Sequence, residues 1–175
     1  MASAHQLAAE YETIAAEAQR DRWAWLVRSA LCEAGGHARD AADRALQSDA
    51  FGVLAAGLRR AEAYGYDVDM LLPNLVARRS LLDADDVAAV LTARLARATA
   101  RPLRGVRPDL VGGRIAAAHG PLPEEAVRAL DERRALIETQ LRESRRHAVR
   151  SRRPAPGAAR TCRVAGRPQP GVTMR

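Results

Sequence analysis

The sequence contains no lysine, few aromatic residues and only two cysteines. Aromatic residues make up 3% of the 175 residues, so a core must be built mainly from alanine, leucine and valine. These residues, together with arginine and glutamate, form helices readily, whereas strands favour β-branched and aromatic residues. The composition therefore predicts an all-α protein with almost no sheet.

The scarcity of cysteine and histidine argues against disulfide and metal sites. Cys32 and Cys162 lie far apart in the sequence, and the four histidines are dispersed. A zinc site needs three or four convergent ligands, whereas Cys32 and His37 form only a near pair. We therefore expect no metal and no other cofactor. A secretory leader and an apolar run of about 18 residues are also lacking, so a cytoplasmic protein without membrane contact is predicted.

Motifs of nucleotide-binding and hydrolytic enzymes are missing as well. The sequence has no GxxxxGK[ST] loop and no GxGxxG, and its two glycine pairs, at 35–36 and 112–113, fall between predicted helices. Five aspartates form two groups that directly precede apolar helical faces, where carboxylates cap the first turn. They are Asp67, Asp69, Asp83, Asp85 and Asp86. We predict no catalytic site and no small-molecule substrate.

The net charge of +7 is concentrated at one end of the chain. Residues 1–141 contain 18 arginines and 20 acidic residues, a net charge of −2. Residues 142–175 contain 10 arginines and one acidic residue, a net charge of +9. Such a run binds polyanions by counterion release without sequence preference, so any DNA affinity is expected there. The candidate nucleic-acid contacts are Arg145, Arg146, Arg150, Arg152 and Arg153. Arginine pairs elsewhere, such as Arg59–Arg60, have acids nearby and predict solvated, salt-bridged surfaces.

Apolar residues recur at spacings of three and four, which is typical of amphipathic helices. One long helix or two joined helices are predicted from about 4 to 32, and a shorter one follows at 38–47. Ser48 or Asp49 is expected to cap the next helix, Pro73 to kink or restart the one after Asp69, and a capped helix to end near Ala98. The predicted core comprises Phe51, Leu54, Leu58, Leu71, Leu75 and Leu91.

These elements predict a division into four segments. Residues 1–100 form a small helical bundle, and 101–122 form a linker because glycine and proline are dense there. A further helix is predicted at 123–144. Residues 145–175 form a disordered basic tail rich in arginine and proline, since almost no large apolar residue remains to offset the entropy of folding.

Several short sequence segments between residues 10 and 140, taken in this order, resemble a known family. They are Tyr11–Ala15, Ala18–Trp23, Ser48–Gly52, Leu58–Ala63, Asp67–Asp69 with Leu71–Pro73, Asp85–Leu91 and Ala129–Glu138. Together they resemble the C-terminal helical region of MobF-type conjugative relaxases, the relaxase-helicases of high-GC bacteria. The relaxase tyrosine, the three-histidine metal site and the helicase Walker motifs of that family have no counterpart here.

The resemblance implies a noncatalytic accessory fragment of a conjugative DNA-transfer protein of plasmids or other mobile elements. Its partners would be DNA, relaxase or other conjugation proteins. An alternative is a small stand-alone regulatory protein whose short helices near 38–64 act as a helix-turn-helix. The net negative charge of residues 1–141 weakens that alternative, because DNA-binding domains are usually basic.

Overall fold

A computed structural model describes residues 3–33, 38–81 and 83–151 of the chain. The described residues form seven helices and one short antiparallel hairpin, which confirms the predicted all-α class. The elements are α1 (Ala4–Ala18), α2 (Arg20–Glu33), α3 (Ala38–Gln47), α4 (Phe51–Ala63), α5 (Val68–Ala77), α6 (Val87–Ala98), β1 (Leu110–Val111), β2 (Ile115–Ala116) and α7 (Glu124–Ser151).

The first 33 residues form two helices that meet at Gln19. A capping box starts α1, since the Gln6 amide donates to Ser3 Oγ at 3.2 Å and the Ser3 amide donates to Gln6 Oε1 at 3.0 Å. Gln19 ends α1 with its amide bonded to the Ala15 carbonyl, and its own carbonyl accepts from the Trp23 amide. The helix axis therefore breaks at Gln19 without leaving these backbone groups unpaired.

A first hydrophobic cluster is built by α2 to α6. Trp23 and Val27 of α2 belong to it, together with the buried faces of the other four helices. Five of the six predicted core residues, Phe51, Leu54, Leu58, Leu75 and Leu91, are buried there, while Leu71 is half-buried at its edge. Trp25 is 67% exposed, whereas Trp23 is fully buried, as expected for two tryptophans on opposite sides of one helix.

Aspartates cap two of these helices as predicted. Asp67 accepts from the amides of Asp69 and Met70, and Asp86 accepts from the amide of Ala89. At α4 the N-cap is Ala50, whose own side chain makes no capping bond, but Ser48, one of the two predicted caps, accepts from the Ala50 amide at 3.0 Å in the turn that leads into the helix.

Two interactions explain the local geometry of α4 and α5. The Ser48 hydroxyl, which accepts from the Ala50 amide, also donates to Asp86 at 2.8 Å, and this bond joins the α3–α4 turn to the start of α6. Pro73 lies inside a single α5 helix, flanked by the fully buried Leu72 and Leu75. Tertiary packing on both sides of the proline holds the helix together despite the missing amide donor.

A second hydrophobic cluster joins the two ends of the described chain. Leu7 and Tyr11 of α1 pack with Val111 and Ile115 of the hairpin and with Ile137 of α7. The hairpin pairs Leu110 with Ala116 and Val111 with Ile115. The sequence predicts a Gly/Pro-rich linker at 101–122, whereas part of this segment is a hairpin that packs into the second cluster. Periodicity showed that α1 has an apolar face but gave no information about which distant element would cover it.

Helix α7 extends to Ser151, beyond the predicted end at 144. The sequence predicts a disordered tail for residues 145–151, and this prediction is wrong. These residues continue the helix because arginine and alanine are good helix formers, so the change in composition near Ser144 does not stop it. Residues 152–175 lie outside the described part of the chain. None of the described helices is both long and apolar enough to cross a membrane.

Candidate nucleic-acid interface

A groove lined by arginines lies between the hairpin and α7. It consists of two adjoining cavities of about 740 and 510 Å³, which share Gly112, Leu141 and Arg145. The charged residues of the first cavity are Arg107, Asp109, Arg134, Glu138, Arg142 and Arg145. Those of the second are His5, Arg114 and Arg145. We refer to both cavities together as the arginine groove.

Two glycines in the hairpin loop bring the hairpin backbone against α7. Gly112 and Gly113 have φ angles of +60° and +75°, which residues other than glycine rarely adopt. A Cβ atom on Gly112 would lie 2.8 Å from Leu141 Cδ1 and 3.0 Å from Ile137 Cγ2. The hairpin therefore touches α7 through bare backbone, and this contact forms the floor of the arginine groove.

The two carboxylates of the groove are neutralised by neighbouring cations. Arg134 contacts Asp109 at 3.1 Å and Glu138 at 3.4 Å, and Arg142 contacts Glu138 at 3.5 Å. His119 Nε2 lies 3.4 Å from the other oxygen of Asp109. Burial alone would lower the pKa of Arg134, but the two acids outweigh it and raise the pKa. Neither carboxylate is left unpaired to repel an anion.

Three arginines of the groove remain available. Arg107, Arg114 and Arg145 are exposed, and none forms an ion pair with another described residue. The first cavity carries four arginines and two carboxylates, a net charge of +2, and Arg114 of the second adds one more positive charge. A concave surface with unpaired guanidinium groups attracts phosphate, which arginine binds in a bidentate manner.

The candidate contacts from the sequence fall into three groups. Arg145 lines both cavities of the groove. Arg146 is exposed on the adjoining surface of α7, and the backbone of Arg150 belongs to the same helix. Arg152 and Arg153 lie outside the described residues.

Sequence reasoning missed Arg107 and Arg114. Both lie in the segment that was predicted to be a linker, where charged residues carry no positional information. The signal that locates them is Gly112-Gly113 between the apolar pairs Leu110-Val111 and Ile115-Ala116, because such a glycine pair between short apolar runs is typical of a hairpin. A hairpin prediction would have placed Arg114 in its loop and Arg107 just before its first strand.

A second polar cluster holds α2, α4 and the segment after the hairpin together. Arg22 contacts both oxygens of Glu62, at 2.6 and 3.0 Å, and its guanidinium lies 4.3 Å from the centre of the Trp23 ring. Gln19 Nε2 and Arg22 Nη1 both donate to the His119 carbonyl, at 2.7 and 3.0 Å. The bonds of Gln19 Nε2 and Arg22 fix the segment after the hairpin onto the bundle, although Gln19 Oε1 and Trp23 Nε1 are buried without a hydrogen-bond partner.

Arg59 is the position where the predicted solvated surface is wrong. Its side chain is buried, with the residue only 5% exposed, and its Nε atom has no hydrogen-bond partner. Burial lowers the pKa of Arg59, and the charge of Glu12 partly opposes this effect. Among the described residues, no three potential metal ligands converge near Arg59 or elsewhere.

The sequence segments that resemble MobF-type relaxases lie mostly on helices of the bundle. Asp67 and Asp86 are helix caps, and Leu58–Ala63 forms the second half of the central helix α4. Helix capping and packing account for these residues, so the relaxase assignment stays a prediction. In comparisons with known proteins, no family model, no curated protein and no solved structure matches this chain.

Proposed function

We propose that this chain is a noncatalytic helical module that contacts nucleic acid without sequence preference, as an accessory part of a conjugative DNA-transfer protein. The observation that carries the proposal is the set of exposed arginines on α7, which continue outward from the arginine groove. Arg142, Arg145 and Arg146 are spaced three and four residues apart and lie on one side of the helix. Arg145 and Arg146 have no ion pair with a described residue.

Physical chemistry connects these arginines with the nucleic-acid backbone. Guanidinium groups are weakly hydrated and bind phosphate in a bidentate manner, and each contact with DNA releases condensed counterions. Phosphate contacts position a protein on DNA but carry no direct sequence information. A module of this kind supplies affinity and leaves recognition and catalysis to other domains or partners.

The conjugative setting rests on the sequence resemblance to MobF-type relaxases. In that setting the partners would be relaxase or other conjugation proteins, in the cytoplasm, in addition to DNA. The body offers further exposed apolar side chains, Trp25 and Met70 among them, at 67% and 65% exposure. Exposed tryptophan and methionine are enriched in protein–protein interfaces, which supports a protein partner as well.

The helix-turn-helix alternative receives no support from α4, its recognition helix. The exposed residues of α4 are Gly52, Val53, Ala56 and Arg60. Only Arg60 among them has a side chain that donates hydrogen bonds to base edges. The opposite side of α4 is buried in the first hydrophobic cluster, so the helix cannot turn a different face to DNA without unfolding the bundle.

Fluorescence anisotropy with two unrelated duplexes of equal length tests the proposal. The full chain should bind both with similar affinity, and binding should weaken by orders of magnitude between about 50 and 200 mM salt if several phosphates are contacted. The variant Arg142→Gln/Arg145→Gln/Arg146→Gln should bind weakly. The control Arg39→Gln/Arg97→Gln/Arg128→Gln removes the same charge from exposed positions elsewhere and should retain most of the affinity.

A second comparison uses chains that end at residue 151 and at residue 141. The first keeps all of α7, and the second loses its basic end, so the larger loss of affinity should come between 151 and 141. If the chain ending at 141 bound one duplex in preference to the other, base readout by the bundle would replace this proposal.

A further inference from the structure

We infer that the arginine groove seats one strand of a nucleic-acid duplex, with Arg107 and Arg114 of the hairpin region holding phosphates beside Arg145 of α7. This inference rests on the proposed function and extends it into the folded body. The sequence alone predicts that all DNA affinity lies in residues 142–175, because residues 1–141 carry a net charge of −2.

Net charge is a poor guide here, because unpaired charges act locally. The Debye length is about 10 Å at 0.1 M salt, so acids that lie farther than this from the groove do not cancel the field inside it. The acids within the groove, Asp109 and Glu138, are held by Arg134, Arg142 and His119. Arg107, Arg114 and Arg145 thus present three unpaired cations to a ligand.

Three separate chain segments supply these cations around one floor. Arg107 precedes β1, Arg114 lies in the hairpin loop, and Arg145 lies in the last third of α7. The two cavities meet at Gly112 and Leu141, so Arg145 faces both of them. The floor of bare glycine backbone leaves room for a polymer backbone to approach, since open space also lies where a Gly113 side chain would start.

The lining favours a duplex over a single strand. Proteins that bind single strands stack the bases on aromatic side chains, which contribute about 1–3 kcal/mol per base. No phenylalanine, tyrosine or tryptophan lines either cavity, and the nearby Tyr11 is buried with its hydroxyl accepting a bond from the Ala118 amide. A groove that offers guanidinium groups without stacking platforms suits phosphates whose bases are already paired.

The exposed end of α7 is compatible with the same partner. Residues 142–148 are exposed, and the major groove of a duplex, about 12 Å wide, admits an α-helix. With a strand seated in the arginine groove, this end of α7 would follow the duplex surface. The hairpin arginines and the α7 arginines would then contact phosphates of the same duplex.

The test compares the salt dependence of duplex binding for two charge-matched double variants of the full chain. Arg107→Gln/Arg114→Gln should lower the slope of log affinity against log salt by about 2, since each lost phosphate contact removes about one unit. The affinity near 0.1 M salt should fall about tenfold or more. Arg60→Gln/Arg97→Gln, on exposed positions of α4 and α6, should leave the slope unchanged.

Three further measurements control for unfolding and for the choice of a duplex. Arg107→Lys/Arg114→Lys keeps both charges and should show a salt slope close to that of the unchanged protein. This result would show that the Gln variant loses slope through its missing charges and not through unfolding. Circular dichroism melts of all variants should coincide, because the substituted side chains are exposed and unpaired. A single strand of equal length should bind more weakly and lose less on substitution.

The outcomes separate this inference from the proposed function. If the full chain binds duplex and Arg107→Gln/Arg114→Gln leaves the slope unchanged, the groove inference fails while the proposed function stands. An equal loss with Arg60→Gln/Arg97→Gln would also overturn it, since general charge would then explain binding. Preferential binding of the single strand would overturn the choice of a duplex. If the full chain binds neither, both the inference and the proposed function fail.

Discussion

Arg22 stabilises three parts of the molecule through one guanidinium group. It forms a two-point ion pair with Glu62, lies over Trp23 and donates to the His119 carbonyl. The side chains of Arg22 and Glu62 are 20% and 18% exposed, so removing one leaves the other charge poorly solvated. Arg22→Ala should lower the free energy of unfolding by about 2–3 kcal/mol, a value reduced from that of a fully buried pair.

The matched control for this prediction is the exposed ion pair of Arg28 with Asp43, whose side chains are 57% and 59% exposed. Arg28→Ala should cost less than about 1 kcal/mol. Urea unfolding followed by circular dichroism measures both values. Equal costs for the two variants would show that the Arg22 cluster adds no stability beyond an ordinary surface pair.

At the scale of elements, the hairpin loop tests the backbone contact that forms the groove. Gly112→Ala combines a strained positive φ with a contact of 2.8 Å to Leu141, so the hairpin or α7 must move. Gly113→Ala introduces the same backbone strain into open space. We expect a cost of about 1 kcal/mol for Gly113→Ala and about 2–4 kcal/mol for Gly112→Ala, measured by urea unfolding. Similar costs would mean that the contact with α7 is easily relaxed.

The start of α6 should make stability depend on pH. Hydrogen bonds from the Ala89 amide and from the Ser48 hydroxyl lower the pKa of Asp86 in the folded state. The stabilisation is therefore fully present above the ordinary pKa of about 3.9, and is lost as pH falls through the lowered folded value. Below about pH 4, the free energy of unfolding should fall less steeply with decreasing pH in Asp86→Asn than in the unchanged protein. Ser48→Ala should reduce this pH dependence in part. If the free energy of unfolding depended on acidic pH in both variants as it does in the unchanged protein, this account would be contradicted.

Local sequence signals were sufficient to predict most helices and some of their starts, but not every helix end. Asp67 and Asp86 sit directly before apolar faces, so their capping roles were predictable from the sequence. The end of α7 was not, because arginine and alanine are good helix formers, whereas an arginine-rich run without large apolar residues is also typical of disorder. The hairpin was missed because strands of two residues are too short to show an alternating pattern.

At the scale of the whole molecule, long-range contacts could not be predicted from local sequence patterns. Arg59 was expected at the surface, yet the packing of α1 over α4 buries it, and no local pattern reveals this. The arginine groove has the same origin, because it exists only where α1, the hairpin and α7 come together. Of its residues, only Arg145 was identified beforehand, through the density of charge in the chain rather than through geometry.

The joining of both chain ends in the second hydrophobic cluster leads to a further prediction about cleavage. The loop between α6 and β1 is exposed at Arg104 and Gly105, so a specific protease site inserted between them should be cut without unfolding the chain. We expect residues 1–104 and 105–175 to stay together after the cut. Leu7 and Tyr11 pack against Ile137, and Glu10 pairs with Arg133 at 2.7 Å, so the contacts that join the two pieces do not depend on the loop.

Size-exclusion chromatography of the cleaved protein measures this association. The variant Ile137→Asp places a charge at a position that is 3% exposed, at a cost of several kcal/mol, and should let the pieces separate. Leu136→Asp changes the neighbouring residue, which is 43% exposed, and should leave them associated. If the cleaved pieces separated without any substitution, residues 101–122 would behave as the independent linker that the sequence predicted. The second cluster would then be too weak to hold α7, and with it the arginine groove, in place.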